Sequence, residues 1–202
     1  MSTPDTTALP RVTTPTLTDR GYGILLVVLG ALGLVLSYGL GVVKLRLEAN
    51  PAAEVSCDRG GVLMCSEILT SAGSAPLGFP NSFLGMSGFA VQILMGALVL
   101  GGARVPSRVW NGFGLGMRAG AALVIVFQVY SLGVLGYICV DCVVVWLIAL
   151  TGFVYTRAYL TQHGHLRKPR PVDRFVGRRP LTVSLVCVGL SLVFVLVRAL
   201  MG

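Results

Sequence analysis

Long apolar runs are the feature that most constrains this chain. A helix needs about 20 consecutive, mostly apolar residues to cross a bilayer. Five segments meet that requirement, and they run from about Tyr22 to Val43, Pro80 to Leu100, Arg118 to Leu135, Cys139 to Tyr159 and Leu181 to Met201. Only 12% of the residues are charged, which is about half the share found in soluble domains. The sequence therefore predicts an all-α integral membrane protein with five transmembrane helices.

The third and fourth runs almost touch. The apolar stretch from Ala119 to Tyr155 is too long for one span, so the chain must turn within it. We expect Gly133 and Gly136 to supply the turn, because glycine tolerates the backbone angles that a tight turn requires. This turn places Cys139 and Cys142 in the first turn of the fourth helix, near one face of the membrane.

The distribution of Lys and Arg predicts the orientation of the helices. The segment between the second and third runs holds three arginines and no acid, and the segment between the fourth and fifth runs is basic, with Asp173 as its one acid. The positive-inside rule places both segments in the cytoplasm, together with residues 1–20 as a disordered tail. The loop 44–79 and the turn before Cys139 then face outward. Because topology accounts for the net charge of +8, we do not expect nucleic acid binding.

Four of the five cysteines form two close pairs, Cys57 with Cys65 and Cys139 with Cys142. The predicted topology places all four on the outer side, where disulfides form and persist. The second pair is a CxxC motif at the start of a helix, where the positive end of the helix dipole stabilises a thiolate. The loop between Cys57 and Cys65 contains two glycines and can flex, which suits a pair that shuttles electrons to a fixed pair.

Each cysteine pair has a simpler interpretation. A CxxC motif also occurs in structural disulfides and metal sites, and the loop pair fits a static, loop-closing disulfide equally well. A zinc site built from all four thiolates normally uses two short CxxC-type knuckles. The eight-residue step from Cys57 to Cys65 is a poor knuckle, so we weigh a metal site below redox chemistry. The fifth cysteine, Cys187, is predicted to be a small buried residue.

These features together resemble the vitamin K epoxide reductase family and its bacterial homologues over about residues 20–160. The resemblance rests on the loop pair, on Ser71 just downstream, on the segment Pro80-Asn81-Ser82-Phe83-Leu84-Gly85 that opens the second run, and on Cys139-x-x-Cys142. It implies a four-helix transmembrane bundle around a quinone site over residues 21–160. Residues 161–202 then add a basic cytoplasmic loop and a fifth transmembrane helix.

The resemblance also implies roles for the four paired cysteines. Cys57 would form a mixed disulfide with a thioredoxin-fold partner, and Cys65 would exchange with Cys139. Cys142 would face the quinone and pass electrons to it.

Three further residues are implied in the quinone-binding region. Asn81 would hydrogen-bond a quinone carbonyl, and Phe83 would lie in the same segment. Ser71 would lie near the loop pair. Trp146 stands where animal members of the family have a tyrosine, so sensitivity to anticoagulants is not inferred.

The expected function is reoxidation of a soluble protein, with the electrons passed to menaquinone or ubiquinone in a bacterial plasma membrane. Some bacterial homologues carry a fused thioredoxin-like domain that is not seen in this sequence, so we expect a separate, DsbA-like thioredoxin-fold partner. Three alternatives stay open. They are reduction of a quinone epoxide, outward transfer of electrons from the cytoplasm, and a non-catalytic metal-binding or assembly role.

Overall fold

The computed structural model describes residues 17–76, 78–166 and 170–201. Five long helices are present, α1 (Asp19–Ala49), α3 (Asn81–Leu100), α4 (Ser107–Gln128), α5 (Val140–Gln162) and α7 (Pro180–Met201), with two short ones between them, α2 (Cys65–Thr70) and α6 (Pro171–Arg178). A 3-10 turn, Ala72–Ser74, follows α2, and a π-helical segment, Val129–Leu135, continues α4. Most of the predicted tail, together with Arg167 and Lys168, lies outside the described residues.

The prediction of five membrane-spanning helices is confirmed. Each long helix is apolar and long enough to cross a bilayer when the π-helical segment is counted with α4. The helix α5 is central, since 61% of its apolar window is buried, against 11% in α7. It contacts α1, α4, α6 and α7, while α1 packs along α3. The fifth span therefore lies on the outside of a bundle formed by the other four.

Glycines allow α1 and α3 to approach closely. A Cβ atom at Gly33 would lie 2.5 Å from the ring of Phe89, and one at Gly30 would lie 2.7 Å from Ile93. Small residues give membrane helices this kind of contact, where dispersion forces rather than burial from water drive association. The pair α1–α3 therefore forms a rigid wall of the bundle.

Two predicted boundaries are wrong. The first helix continues through Lys44 to Ala49, because Lys44 pairs with Glu48 one turn later at 3.0 Å. The third helix begins at Ser107 and not at Arg118. From Ser107 to Leu135 it has 29 residues, about 43 Å of helix against a hydrocarbon core of about 30 Å. If the excess length extends beyond the bilayer at the N-terminal end of the helix, Arg118 lies close to the interface. Its long side chain can then place the guanidinium in the polar headgroup region.

The turn between the third and fourth spans lies at Gly136, as predicted. Gly136 adopts φ +79°, a left-handed conformation that favours glycine, whereas Gly133 lies within the π-helical segment. The carbonyl of Gly136 accepts a hydrogen bond from Nε of Arg198 at 3.0 Å. The end of α7 is thereby attached to the turn that precedes Cys139.

A buried ion pair attaches α6 to the other end of α5. The carboxylate of Asp173 accepts hydrogen bonds from the Arg157 guanidinium and from the backbone N–H of Arg170. Burial raises the pKa of Asp173, but these bonds outweigh it and hold the pKa below its ordinary value. The pair therefore contributes stability at neutral pH, and that contribution is lost as the pH falls through the lowered pKa.

We expect Asp173→Asn to destabilise the protein by about 3 kcal/mol, because it leaves the buried charge of Arg157 unpaired. Thermal or denaturant unfolding in detergent micelles measures this loss. Glu67→Gln is the matched control: Glu67 is an exposed acid on α2, and its loss should change the free energy of unfolding by about 0.5 kcal/mol or less. Equal stabilities of the two variants would show that the ion pair does not hold α6.

Candidate redox site: two cysteine pairs beside an apolar cavity

The CxxC motif lies at the N-terminus of α5. Cys139 is the N-cap residue in an extended conformation, and its Sγ accepts a hydrogen bond from the backbone N–H of Cys142 at 3.3 Å. The two residues are joined by a disulfide, with their Cα atoms 5.2 Å apart. Cys139 has no exposed surface. The sequence placed this pair in the first turn of the helix, and the structure has it there.

The loop pair lies in the connection between α1 and α3. Cys57 and Cys65 form a disulfide with their Cα atoms 5.9 Å apart. Gly60 and Gly61, with φ of +84° and +62°, form the tight turn that brings the two cysteines together. Cys65 is the first residue of α2 and has no exposed surface, whereas Cys57 is partly exposed. A soluble reactant therefore has access to only one end of this disulfide.

The two disulfides belong to one apolar cluster. Cys65 and Cys139 are both buried in it, and Cys57 and Cys142 pack against it with side chains from α1 and α2. The backbone N–H of Ile138 donates to the carbonyl of Val62 at 2.7 Å, which fixes the cysteine loop to the residue before Cys139. The structure thus brings together all four cysteines that the sequence singled out.

Asp58 is a residue of this site that the sequence analysis missed. Its Oδ1 accepts hydrogen bonds from the backbone N–H groups of Cys65 at 2.6 Å and Ser66 at 3.1 Å. Burial raises the pKa of Asp58, but the hydrogen bonds from Ser66 and Cys65 outweigh it and hold the pKa below its ordinary value. The carboxylate lies within 4.8 Å of both sulfurs of the loop pair. The sequence offered only an acid next to a cysteine as a signal, because the helix α2, whose first amides Asp58 accepts from, was not predicted.

An apolar cavity of about 540 Å³ begins at Cys142 of the CxxC pair and continues into the bundle. Its lining includes Cys142 and Asn81 at one end, and Met95 and Val109 toward the other end of α3 and α4. The helices α3 and α4 make few contacts with each other, and the cavity occupies the space between them. Asn81 and Cys142, both predicted to meet a quinone, share this lining.

Phe83 and Ser71, the other two predicted quinone-site residues, are not among the lining residues of this cavity. Phe83 is partly exposed on α3. The hydroxyl of Ser71 donates to the carbonyl of Ile68 at 2.7 Å. Their predicted roles are not tested by this placement.

The cavity fits an apolar ligand with a polar head. Asn81 is partly buried and lines the end of the cavity that Cys142 also lines. The Oγ of Ser82, next along α3, is buried without a hydrogen-bond partner among the described residues, but it faces Gly41 of α1 and not the cavity. Four glycines of the lining would each carry a Cβ that meets nothing within 4 Å, and they are Gly88, Gly112, Gly116 and Gly120. An amide at one end and open apolar space along the glycines fit a ligand of the quinone type.

Gln92 is a second polar residue of the lining that the sequence analysis missed. It is almost completely buried, and its Nε2 donates to the carbonyl of Leu26 on α1 at 3.3 Å. A lone amide in an apolar run was the signal available, since polar residues inside membrane helices mark helix contacts or ligand sites. Trp146 also lines the cavity from α5.

Five apolar helices, two adjacent cysteine pairs and a cavity that reaches one of them define a class of protein, the membrane thiol–disulfide oxidoreductases. Comparison with sequence families agrees. The profile described as the Vitamin K epoxide reductase family matches residues 24–157, which is more than half of the chain. The chain belongs to this family, and the resemblance drawn from its motifs is confirmed. A search of curated proteins gave no match.

Membership of the family fixes the general activity. The protein is a multi-pass integral membrane enzyme that catalyses thiol–disulfide exchange and uses a quinone, with a thiol-containing redox partner. The redox cysteine pairs that this chemistry requires are present at disulfide distance.

Proposed function

We propose that this protein reoxidises a separate, DsbA-like thioredoxin-fold protein and passes the electrons to menaquinone or ubiquinone in a bacterial plasma membrane. It would thereby support disulfide formation in exported proteins. The observation that carries the proposal is where each of the four paired cysteines is exposed. Cys57 is partly exposed, Cys65 and Cys139 are fully buried, and Cys142 lines the cavity. This order leads from a surface that a protein can reach to a cavity that a quinone can fill.

The first exchange consumes the Cys57–Cys65 disulfide. A thiolate of the reduced partner attacks the sulfur of Cys57, a mixed disulfide forms, and Cys65 leaves as a thiol or thiolate. The second thiol of the partner then attacks the mixed disulfide, which releases the oxidised partner and leaves Cys57 reduced. Two electrons and two protons have entered the loop pair.

The second exchange moves the electrons inward. Cys65 attacks the Cys139–Cys142 disulfide, and Cys57 then resolves the mixed disulfide that forms. The bond between Cys57 and Cys65 is restored, and Cys139 and Cys142 are left as thiols. Because Cys65 and Cys139 lie in one buried cluster, the exchange needs only a local movement of the loop.

The quinone-binding end is formed by α3 and α5. A bound quinone supplies an acceptor for two electrons and two protons. Asn81 would donate a hydrogen bond to one of its carbonyls, beside the sulfur of Cys142. Ser71 would support the cavity wall, because its backbone carbonyl accepts a hydrogen bond from the hydroxyl of Ser74, a lining residue, at 2.7 Å. Phe83 would support the wall in the same way, because its backbone carbonyl accepts a hydrogen bond from the hydroxyl of the lining residue Ser87 at 2.9 Å.

The proposed orientation places the cysteine pairs outside and the N-terminus in the cytoplasm. Its support is the charge at the opposite end of the bundle, where Arg104, Arg108 and Arg118 lie in or before the first half of α4. The arginines of α6, Arg174 and Arg178, follow the end of α5 on the same side. Basic residues in short loops remain in the cytoplasm.

The proposal is tested by complementation of a bacterium that lacks its own quinone-coupled disulfide oxidase and contains a DsbA-like partner. The wild type should restore disulfide formation, and Ala variants of Cys57, Cys65, Cys139 and Cys142 should each lose at least 90% of the rescue. Cys187→Ala is the matched control and should rescue fully, because Cys187 is outside both disulfides.

With a partner variant that lacks its second, resolving cysteine, the wild type should accumulate a mixed disulfide between Cys57 and the partner, visible on a non-reducing gel. Failure of a well-expressed wild type to rescue, with turnover of a quinone epoxide in membranes, would replace the proposed oxidase with the epoxide reductase. Zinc retained by the purified protein and lost on Cys57→Ser would replace it with the metal-binding alternative.

The cavity gives a separate prediction. We expect Gly116→Leu to raise the KM for quinone at least tenfold, because the new side chain fills space that the quinone needs. The rate of exchange between Cys57 and a soluble dithiol should not change. Gly189→Leu is the matched control, since Gly189 also has nothing within 4 Å of its would-be Cβ but lies on α7, away from the cavity. Equal KM values for the two variants and the wild type would show that quinone binds elsewhere.

A further inference from the structure

Each cysteine pair has a member at a helix N-terminus. Cys65 is the first residue of α2, and Cys139 is the N-cap of α5. The first amides of a helix have no partner within it, and they stabilise a nearby thiolate. A stabilised thiolate favours the reduced form of a pair and makes the pair more oxidising. The potential of each pair therefore depends on what its helix N-terminal amides contact.

The amides of the two helices contact different groups. In α5, the N–H of Cys142 donates to Sγ of Cys139. In α2, the first two amides, Cys65 and Ser66, donate to Oδ1 of Asp58. The same carboxylate lies within 4.8 Å of both sulfurs of the loop pair. The sulfurs of the loop pair thus lie beside a negative charge, whereas a sulfur of the CxxC pair accepts a hydrogen bond from a backbone N–H.

Other charged groups near the pairs do not cancel this difference. On α1, Lys44 is already paired with Glu48. In the loop, Glu54, Arg59 and Glu67 are exposed, so water screens them. Asp141 lies in the first turn of α5, but within the described part of the chain Asp58 is the one acid with a carboxylate oxygen within 4.8 Å of both sulfurs of a cysteine pair.

We propose that Asp58 is a positioning residue that sets the direction of electron transfer between the two cysteine pairs. It occupies the N-terminal amides of α2 and places its charge beside Cys57 and Cys65, which makes the loop pair the more reducing one. The amide of Cys142 makes the CxxC pair the more oxidising one. The inference rests on the proposed function in one respect, that electrons are to flow from the loop pair inward.

The exchange that Asp58 favours is balanced. The dithiol of Cys57 and Cys65 is oxidised to a disulfide, and the disulfide of Cys139 and Cys142 is reduced to a dithiol. One S–S bond forms and one breaks, and two electrons and two protons move between the pairs. No other oxidant or reductant is needed for this step.

The test compares Asp58→Asn with the wild type in a Cys139→Ser/Cys142→Ser background, which isolates the loop pair. Asparagine keeps an oxygen that accepts from both amides, so the cap of α2 is preserved while the charge is removed. The purified protein in detergent is equilibrated at pH 8 with glutathione buffers, and the reduced fraction is counted by alkylation and mass spectrometry. We expect the equilibrium to shift at least tenfold toward the dithiol, which is about 30 mV for two electrons.

The pH dependence tests whether the charge of Asp58 acts. Hydrogen bonds hold the pKa of Asp58 below its ordinary value, so the carboxylate stays charged from pH 6 to pH 8. The shift between Asp58→Asn and the wild type should therefore persist across that range. Glu54→Gln, which removes an exposed acid from the same loop, should stay within twofold of the wild type at every pH.

Three results would overturn the inference. The first is a shift of no more than twofold in Asp58→Asn. The second is a shift in Asp58→Ala but not in Asp58→Asn, which would leave only a capping role. The third is a CxxC pair, isolated by Cys57→Ser/Cys65→Ser, that is more reducing than the loop pair. The assay contains neither quinone nor soluble protein. A shift in potential without rescue in the complementation test would therefore refute the proposed function alone, and rescue without a shift would refute this inference alone.

Discussion

The buried apolar cluster that holds both Cys65 and Cys139, at the N-terminus of α5, is the packing on which the working parts of the protein depend. The helix α5 is the most buried of the five, and the chain reaches it through the left-handed turn at Gly136. The hydrogen bond from Ile138 to Val62 holds the cysteine loop at this point. A shift of either element would separate the two disulfides, and exchange between them requires direct contact of sulfurs.

The cavity shows a use of glycine that differs from the usual one in membranes. Gly30 and Gly33 of α1 meet α3 closely, as small residues do in helix pairs. Gly112, Gly116 and Gly120 recur at every fourth residue of α4 and line the cavity, with no neighbouring atom where a Cβ would be. Glycine therefore allows close packing between α1 and α3, and it leaves open space between α3 and α4. The space left between α3 and α4 reaches the sulfur-bearing end of the bundle.

The sequence predicted the parts of the fold that depend on local composition. Apolar runs marked all five spans, and the glycine at position 136 marked the turn that places Cys139 at a helix start. The beginning of α4 was missed because its first turns carry Arg108 and Arg118, which lower the local hydropathy although the helix continues. The short helices α2 and α6 were missed because tertiary contacts stabilise them. Asp58 caps α2 from seven residues away, and Arg157 of α5 holds Asp173 of α6.

The functional site also contains residues that the sequence indicated and residues that only the structure reveals. Cysteine spacing and the family motif singled out the four cysteines and Asn81 as candidates, and the structure places the cysteines in and around one apolar cluster and Asn81 in the lining of the cavity. Asp58, Ser82 and Gln92 carry no such pattern, and their importance is visible only from what surrounds them. Asp58 stands out because it accepts hydrogen bonds from two backbone amides, and Ser82 because its buried hydroxyl has no partner among the described residues. Gln92 stands out because its amide side chain is almost completely buried.

The most direct test of the relay is the number of quinol molecules formed by each fully reduced protein molecule. The purified protein is fully reduced, freed of reductant and mixed anaerobically with excess menaquinone or ubiquinone. With two dithiols per chain, the wild type should form two quinols, Cys57→Ala/Cys65→Ala should form one, and Cys139→Ala/Cys142→Ala should form none. Quinol formation by the variant that lacks the CxxC pair, at the rate of the wild type, would contradict the account, because the loop pair would then reach the quinone without it.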